Sequence, residues 1–215
     1  MSYKALPTDQ SREKPASSFT ESMQEEILRS LPFEDRKSFE NARKGFIATL
    51  DPLTIERADG PPVLDLSQFD FLNDEAPPTV NPSLWRQAQL TTQHTGLFEV
   101  VKGIYQVRAF DIANMTLIQG ETGWIIVDPL TSSESSRAAL DLANKKMGHR
   151  EVVAVLHTHS HADHFAGVFG VISPEQAENG SIKIVAPEHF VNESLSENVI
   201  AGNAMGRRAT YMYGN

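Results

Sequence analysis

The spacing of hydrophobic positions changes along the chain, and each change marks a different kind of structure. Phe19, Met23, Ile27 and Leu31 recur every four residues, which places them on one face of a helix. Ser18 followed by Glu21 predicts its capping box, and Pro32 ends it. Phe39, Ala42 and Phe46 predict a second amphipathic helix that ends before Leu50-Asp51-Pro52. Residues 51–96 are rich in proline and carry few helix or strand signals. Yet Leu64, Leu66, Phe69, Phe71, Leu72, Leu84 and Trp85 are too apolar for a solvated linker, and they predict an ordered arm packed along a domain surface. Trp85 and Phe71 are assigned to that packing in preference to lining a ligand channel. Residues 1–18 are polar, contain Pro7 and Pro15, and show no periodicity, so a flexible tail is expected there.

From Leu97 the period shortens to two. "LFEVVKGIYQVRAF" predicts a β-hairpin turning at Lys102-Gly103, and "MTLIQGETGWIIVD" predicts a second. "TSSESSRAALDLANKKMG" predicts a helix with a Thr131/Glu134 capping box, lysines in its last turn and Gly148 just beyond. "EVVAVLH" is a near-continuous apolar run, the pattern of a buried strand, and "IKIVA" predicts another short strand. Pro187 starts a helix, and residues 196–212 are expected to be helical. The polar excursion from Ser173 to Ser181 receives no function. Strands, then helix, strand, loop, strand and helix predict a layered α/β fold.

Composition narrows the chemistry. The 215 residues are 40 % hydrophobic and 22 % charged, an ordinary globular profile with room for a sizeable core. A net charge of -9 argues against general nucleic-acid binding, which needs a basic excess. Cysteine is absent, so disulfides, zinc fingers and thiol catalysis are all excluded, and a metal site must use imidazole and carboxylate. No run has signal-peptide or membrane-span character, and the expected location is the cytoplasm.

Four of the seven histidines fall between His157 and His164, directly after the "VVAVL" strand. Positions i and i+2 of an extended segment point the same way, so His159 and His161 converge on one metal ion if the chain stays extended. Asp163 and His164 follow where "ADHFAGVFGV" begins to read as a helix, which aims them at a second position nearby. The donors suit zinc or a similar divalent ion, and two adjacent ions activate a water and polarise a leaving oxygen. A nonspecific histidine tract is the alternative, but such a tract lacks the preceding strand, the interleaved aspartate and the small-residue segment that follows. Gly167 and Gly170 are expected to permit close backbone packing. His157 shares the parity of His159, although a structural or outer position is preferred for it. His94, His149 and His189 are read as surface or packing residues. Arg207 and Arg208 form a pair able to attract a sulfate, with a plain surface role preferred.

"THSHADH", Thr158–His164, resembles the histidine/aspartate signature of the metallo-β-lactamase superfamily, and "WIIVDPLTS" resembles its earlier strand motif, whose aspartate matches Asp128. The resemblance implies that Asp128 lies under the metal site and supports the loop. The di-iron relatives carry a glutamate ligand where Ala162 stands, so a hydrolase is favoured. "FDFLND", "TVNPSLWRQAQL" and "SENVIAGNAMGRRATYMYG" resemble the alkylsulfatase, SDS-hydrolase-like branch from about residue 25 onward, with Ala166 a departure from the usual "DHFGG". What this implies is an incomplete αββα domain over 97–215, preceded by helices and an extended arm over 19–96. It also implies a two-zinc hydrolase of alkyl sulfate esters. His159 and His161 would hold one ion and Asp163 and His164 the other, with Asp163 also the catalytic carboxylate. The family's remaining ligands, two glutamates and a histidine, lie further downstream there, as do its dimerisation and lipid-carrier-like parts. The 215 residues alone are therefore expected to be marginally stable and weak or inactive, with homodimers reserved for full-length relatives. Two alternatives stand beside this: a superfamily hydrolase of another ester, thioester or amide, and a non-catalytic metal-binding chain.

Overall fold

The computed structural model describes residues 14–213. Helix α1 (Ser18–Ser30) and the short α2 (Lys37–Ala42) open the chain, followed by strand β1 (Phe46–Ala48). A small antiparallel pair, β2 (Thr54–Ile55) and β3 (Leu64–Asp65), leads into a 3-10 segment over Leu66–Asn73 and then α3 (Pro82–Thr92). Two hairpins follow, β4 (Gly96–Val101) with β5 (Ile104–Arg108), and β6 (Met115–Gln119) with β7 (Trp124–Val127). Helix α4 (Ser133–Met147) crosses to β8 (Val152–Leu156). Helix α5 (Pro174–Glu178) precedes β9 (Lys183–Val185), and α6 (Phe190–Leu195) and α7 (Gly202–Tyr213) flank a π-helical turn over Ser196–Ile200.

One seven-stranded sheet runs in the order β1-β4-β5-β6-β7-β8-β9. It is antiparallel as far as β7, then parallel from β7 through β8 to β9. This is the layered α/β arrangement that the alternating patterns predict. Alternation decides which face is buried. Tyr105, Val107, Met115, Leu117, Trp124, Ile126 and Val155 point into one cluster, and α4 adds Ala139, Leu140, Leu142 and Ala143 to it. The Trp124 indole also donates to Asn144 Oδ1 at 2.8 Å, tying β7 to the end of α4. On the other face Ile125, Val127, Ala154 and Leu156 are only half-buried, and β9 is exposed. Among the described residues no helix is long and apolar enough to cross a membrane.

Several local expectations change. The cap of α1 is Ser17, whose hydroxyl accepts from Thr20 N, rather than Ser18. The cap of α4 is Ser132, accepting from Ser135 N at 3.0 Å, because Thr131 is engaged elsewhere: its N–H and hydroxyl both bond the Asp111 carboxylate. Phe46 lies in β1, not in a second helix, and pairs with Phe98 so that the arm extends the sheet. The proline-rich arm holds a helix, α3, because Asn81 caps it through Ser83 N and Pro82 takes the first position, where no N–H is needed. Trp85 and Phe71 pack on each other at 5.8 Å, and Arg86 reaches the Phe33 and Asp35 carbonyls. The excursion at Ser173 also folds into a capped turn, α5, in which Ser173 and Gln176 form a capping box. Arg207 and Arg208 are exposed on α7.

"ADHFAGVFGV" is not an α-helix. It forms two 3-10 turns, Ala162–His164 and Val168–Gly170, drawn onto α4. Gly167 N donates to Leu130 O at 2.8 Å, and Ser136 Oγ donates to Gly167 O. A Cβ on Gly170 would lie 1.9 Å from Ser136 Oγ and 2.2 Å from Ser133 O, so only glycine allows this approach. Gly170→Ala is expected to lower the unfolding free energy in urea by about 1–3 kcal/mol through overpacking. Gly206→Ala, in open space on α7, should be neutral or slightly stabilising by comparison.

Candidate metal centre

Strands β7 and β8 run parallel with Val127 opposite Leu156, so both end at the same edge of the sheet. Crevices outside the carboxyl ends of parallel strands are where such sheets hold ligands. Asp128 leaves β7 there and Thr158 leaves β8. Asp128 is buried and adopts φ 55°, a left-handed conformation that aspartate tolerates better than most residues. Leu130, two residues on, is also left-handed at φ 61°, and its N–H bonds the Asp128 carbonyl at 2.9 Å. The chain thus makes a tight double turn that aims the carboxylate across to the next strand.

That carboxylate gathers three donors. Oδ1 accepts from Thr158 N at 2.8 Å. Oδ2 accepts from Thr158 Oγ1 at 2.6 Å and from His164 Nδ1 at 2.8 Å. A carboxylate only accepts, so His164 carries its proton on Nδ1 and turns an Nε2 lone pair outward, 3.2 Å from Asp163 Oδ2. Thr158 has one hydroxyl proton and gives it to Asp128. Its oxygen therefore accepts from His159 Nδ1 at 2.9 Å, which leaves a lone pair on His159 Nε2. That nitrogen lies 3.0 Å from His161 Nδ1. The His159 ring also approaches His164, with centroids 4.0 Å apart.

The donor set fits a divalent cation. His159 Nε2 with His161 Nδ1, and Asp163 Oδ2 with His164 Nε2, are two close pairs of soft-to-hard donors in neighbouring positions. Asp128, His159 and His164 also bring ligand atoms within 4.8 Å of one another. Asp128, however, has both oxygens committed to Thr158 and His164, which makes it the orienting carboxylate beneath the donors. His157 stands apart: its Nδ1 donates to His164 O at 3.2 Å and its ring stacks on Phe190 at 5.4 Å. Burial pushes its pKa below the usual histidine range, against the pull of the His164 carbonyl and the Asp128 charge. His94 is isolated from the cluster and packs edge-on against Phe39. Its pKa is also lowered, by burial and by Arg43. His149 and His189 lie on the surface beside Glu151 and Glu188.

Two residues emerge here that sequence reasoning left without a role. Thr158 relays between Asp128 and His159, a role signalled only by its place beside the histidines. Glu197 Oε1 sits 3.3 Å from His161 Nε2, and nothing in the local pattern foretells that contact.

Asp128→Ala strands the Thr158 and His164 donors and is expected to cost about 2–3 kcal/mol of unfolding free energy in urea, with Asp128→Asn costing less. A loss within error of zero would show that the carboxylate does not hold this edge together. Stability should also fall with acidification. His94 and His157 both have depressed pKa values in the folded protein against 6.5 when free, so below that value the unfolded chain binds protons that the folded chain does not. Urea midpoints are therefore expected to drop as the pH falls from above 6.5 through the folded values, and less steeply in a His94→Gln/His157→Gln variant.

The Metallo-beta-lactamase superfamily profile matches residues 108–207. The linear primary-alkylsulfatase of a Pseudomonas sp is 48 % identical over 94 % of this chain and 30 % of its own length. The alkyl/aryl-sulfatase BDS1 of Saccharomyces cerevisiae is 43 % identical over 88 % of this chain and 29 % of its own. The solved structure of the stereoselective inverting sec-alkylsulfatase Pisa1 from Pseudomonas sp. superposes with a TM-score of 0.86 at 47 % identity, covering 92 % of this chain and 31 % of that one. The chain thus spans about 30 % of the length of the curated relatives it matches. With that identity along nearly all of its own length and a shared backbone, the chain is similar to alkylsulfatases of the metallo-β-lactamase superfamily over about 30 % of their length.

Proposed function

We propose that the centre at the β7–β8 edge is a two-zinc hydrolytic site for sulfate esters of aliphatic alcohols. In this reading His159 and His161 hold one ion, and Asp163 and His164 the other. Water and the alkyl sulfate yield the alcohol and hydrogen sulfate. The observation that carries the reading is the hydrogen-bond relay from Asp128. It leaves nitrogen lone pairs on His159 and His164 facing the same space as His161 and Asp163. The alkylsulfatase names of relatives 43–48 % identical favour the substrate class.

A divalent ion bound there supplies Lewis acidity, polarising an ester oxygen and lowering the pKa of water. The protein's own groups do the rest. Asp128 and Thr158 fix the orientations of the His164 and His159 imidazoles. Asp163 offers a carboxylate oxygen beside His164 to orient the attacking water. His157, packed between Phe165 and Phe190, holds the His164 carbonyl from below.

The test compares the chain with a His159→Ala/His161→Ala variant by elemental analysis after exposure to zinc and desalting. The unaltered chain is expected to retain zinc and the variant to lose at least the ion assigned to that pair. Equal metal content would overturn the reading. Zinc-dependent sulfate release from a medium-chain alkyl sulfate, set against hydrolysis of a carboxylic ester and a thioester of equal chain length, tests the substrate class. Preferential thioester or ester cleavage would overturn it.

A further inference from the structure

His161 differs from the other histidines of the centre in what holds it. His159 and His164 are oriented from below, by Thr158 and Asp128. The His161 side chain is 57 % exposed, and neither Asp128 nor Thr158 bonds it. Among the described residues the carboxylate paired with it is Glu197, whose Oε1 lies 3.3 Å from Nε2. Glu197 comes from a distant element, the π-helical turn over Ser196–Ile200, where Ala201 N reaches back to Ser196 O at 2.9 Å. Such wide turns recur at functional sites because the extra residue re-aims the side chains around it. Here Val199 and Ile200 are largely exposed at 70 % and 83 %, whereas the Glu197 side chain is turned inward at 24 %.

We propose that Glu197 is a positioning residue of the metal centre: its carboxylate takes the Nε2–H of His161 and leaves the Nδ1 lone pair beside His159 Nε2. The chemistry follows from the acceptor-only character of a carboxylate. If Glu197 accepts, the proton of a neutral His161 is on Nε2, and Nδ1 is the donor atom. Without an ion the 3.0 Å contact is a hydrogen bond from His161 Nδ1 to the His159 Nε2 lone pair; with an ion bound, a neutral His161 carries its proton on Nε2, beside Glu197, and both facing nitrogens offer lone pairs to the cation. A carboxylate behind a ligating imidazole also raises its basicity, and removing such a partner commonly weakens metal binding by about 10–100-fold. The assignment rests on the reading of His159 and His161 as a ligand pair.

The experiment has two readouts on the whole chain. Long-range ¹H–¹⁵N spectra of the Zn²⁺-loaded protein report the His161 tautomer. Competition with a chelator, using Zn²⁺ added alone, reports affinity. The unaltered chain is expected to show the Nε2–H tautomer. Glu197→Ala should mix in the Nδ1–H form and bind Zn²⁺ about 10–100-fold more weakly. Glu197→Gln, whose amide oxygen still accepts the same N–H, should recover much of both; circular dichroism checks that each variant folds. An unchanged tautomer and affinity in Glu197→Ala would overturn this assignment alone. Absence of Zn²⁺ uptake by the unaltered chain would overturn the ligand reading of the centre as well.

Discussion

Everything at the centre depends on a buried carboxylate being satisfied. Asp128 is 7 % exposed, and an ionised group at that depth is tolerated only when hydrogen bonds replace water. Its three donors come from the next strand and from the loop beyond it, so satisfying the charge also joins β7, the end of β8 and the 3-10 turn at His164. The parallel register of β7 and β8 brings the partners together, and the left-handed turns at Asp128 and Leu130 supply the aim. Such conformations cost about 1–3 kcal/mol each and persist where surrounding contacts over-determine them.

From that anchor, proton placement spreads outward. Asp128 dictates the tautomer of His164 directly and that of His159 through the Thr158 hydroxyl. Donor atoms on His164 and His159 are thus selected by the protein itself, and an ion bound as proposed would have little reorganisation left to impose.

The parts of this fold that were legible in the sequence are local. Both hairpins follow from short strand-like runs interrupted by Lys102-Gly103 and by Gly120–Gly123, and α4 follows from its periodicity, its terminal charges and Gly148. The misjudged pieces are those where a distant partner decides. Thr131 reads as a cap until Asp111, twenty residues earlier, takes its donors. The proline-rich arm reads as short of helix signals until Asn81 caps the helix that Pro82 begins. "ADHFAGVFGV" has helical composition, yet Leu130 and Ser136 pull its backbone into 3-10 turns. At the centre, the histidines and aspartates announce themselves by spacing. The Thr158 relay depends on which way one hydroxyl turns, and the Glu197 contact spans thirty-six positions, so neither leaves a local trace.

The seam between the histidine loop and α4 has a mechanical consequence. Gly167 and Gly170 let the loop backbone lie directly against the first turn of the helix, with only the short Ser136 hydroxyl bridging them. Peeling the loop away would break the hydrogen bonds that tie Gly167 to Leu130 and to Ser136 of α4. Were an ion held at the centre as proposed, the part free to move at its solvent side would be the exposed ring of His161 and not the backbone beneath it.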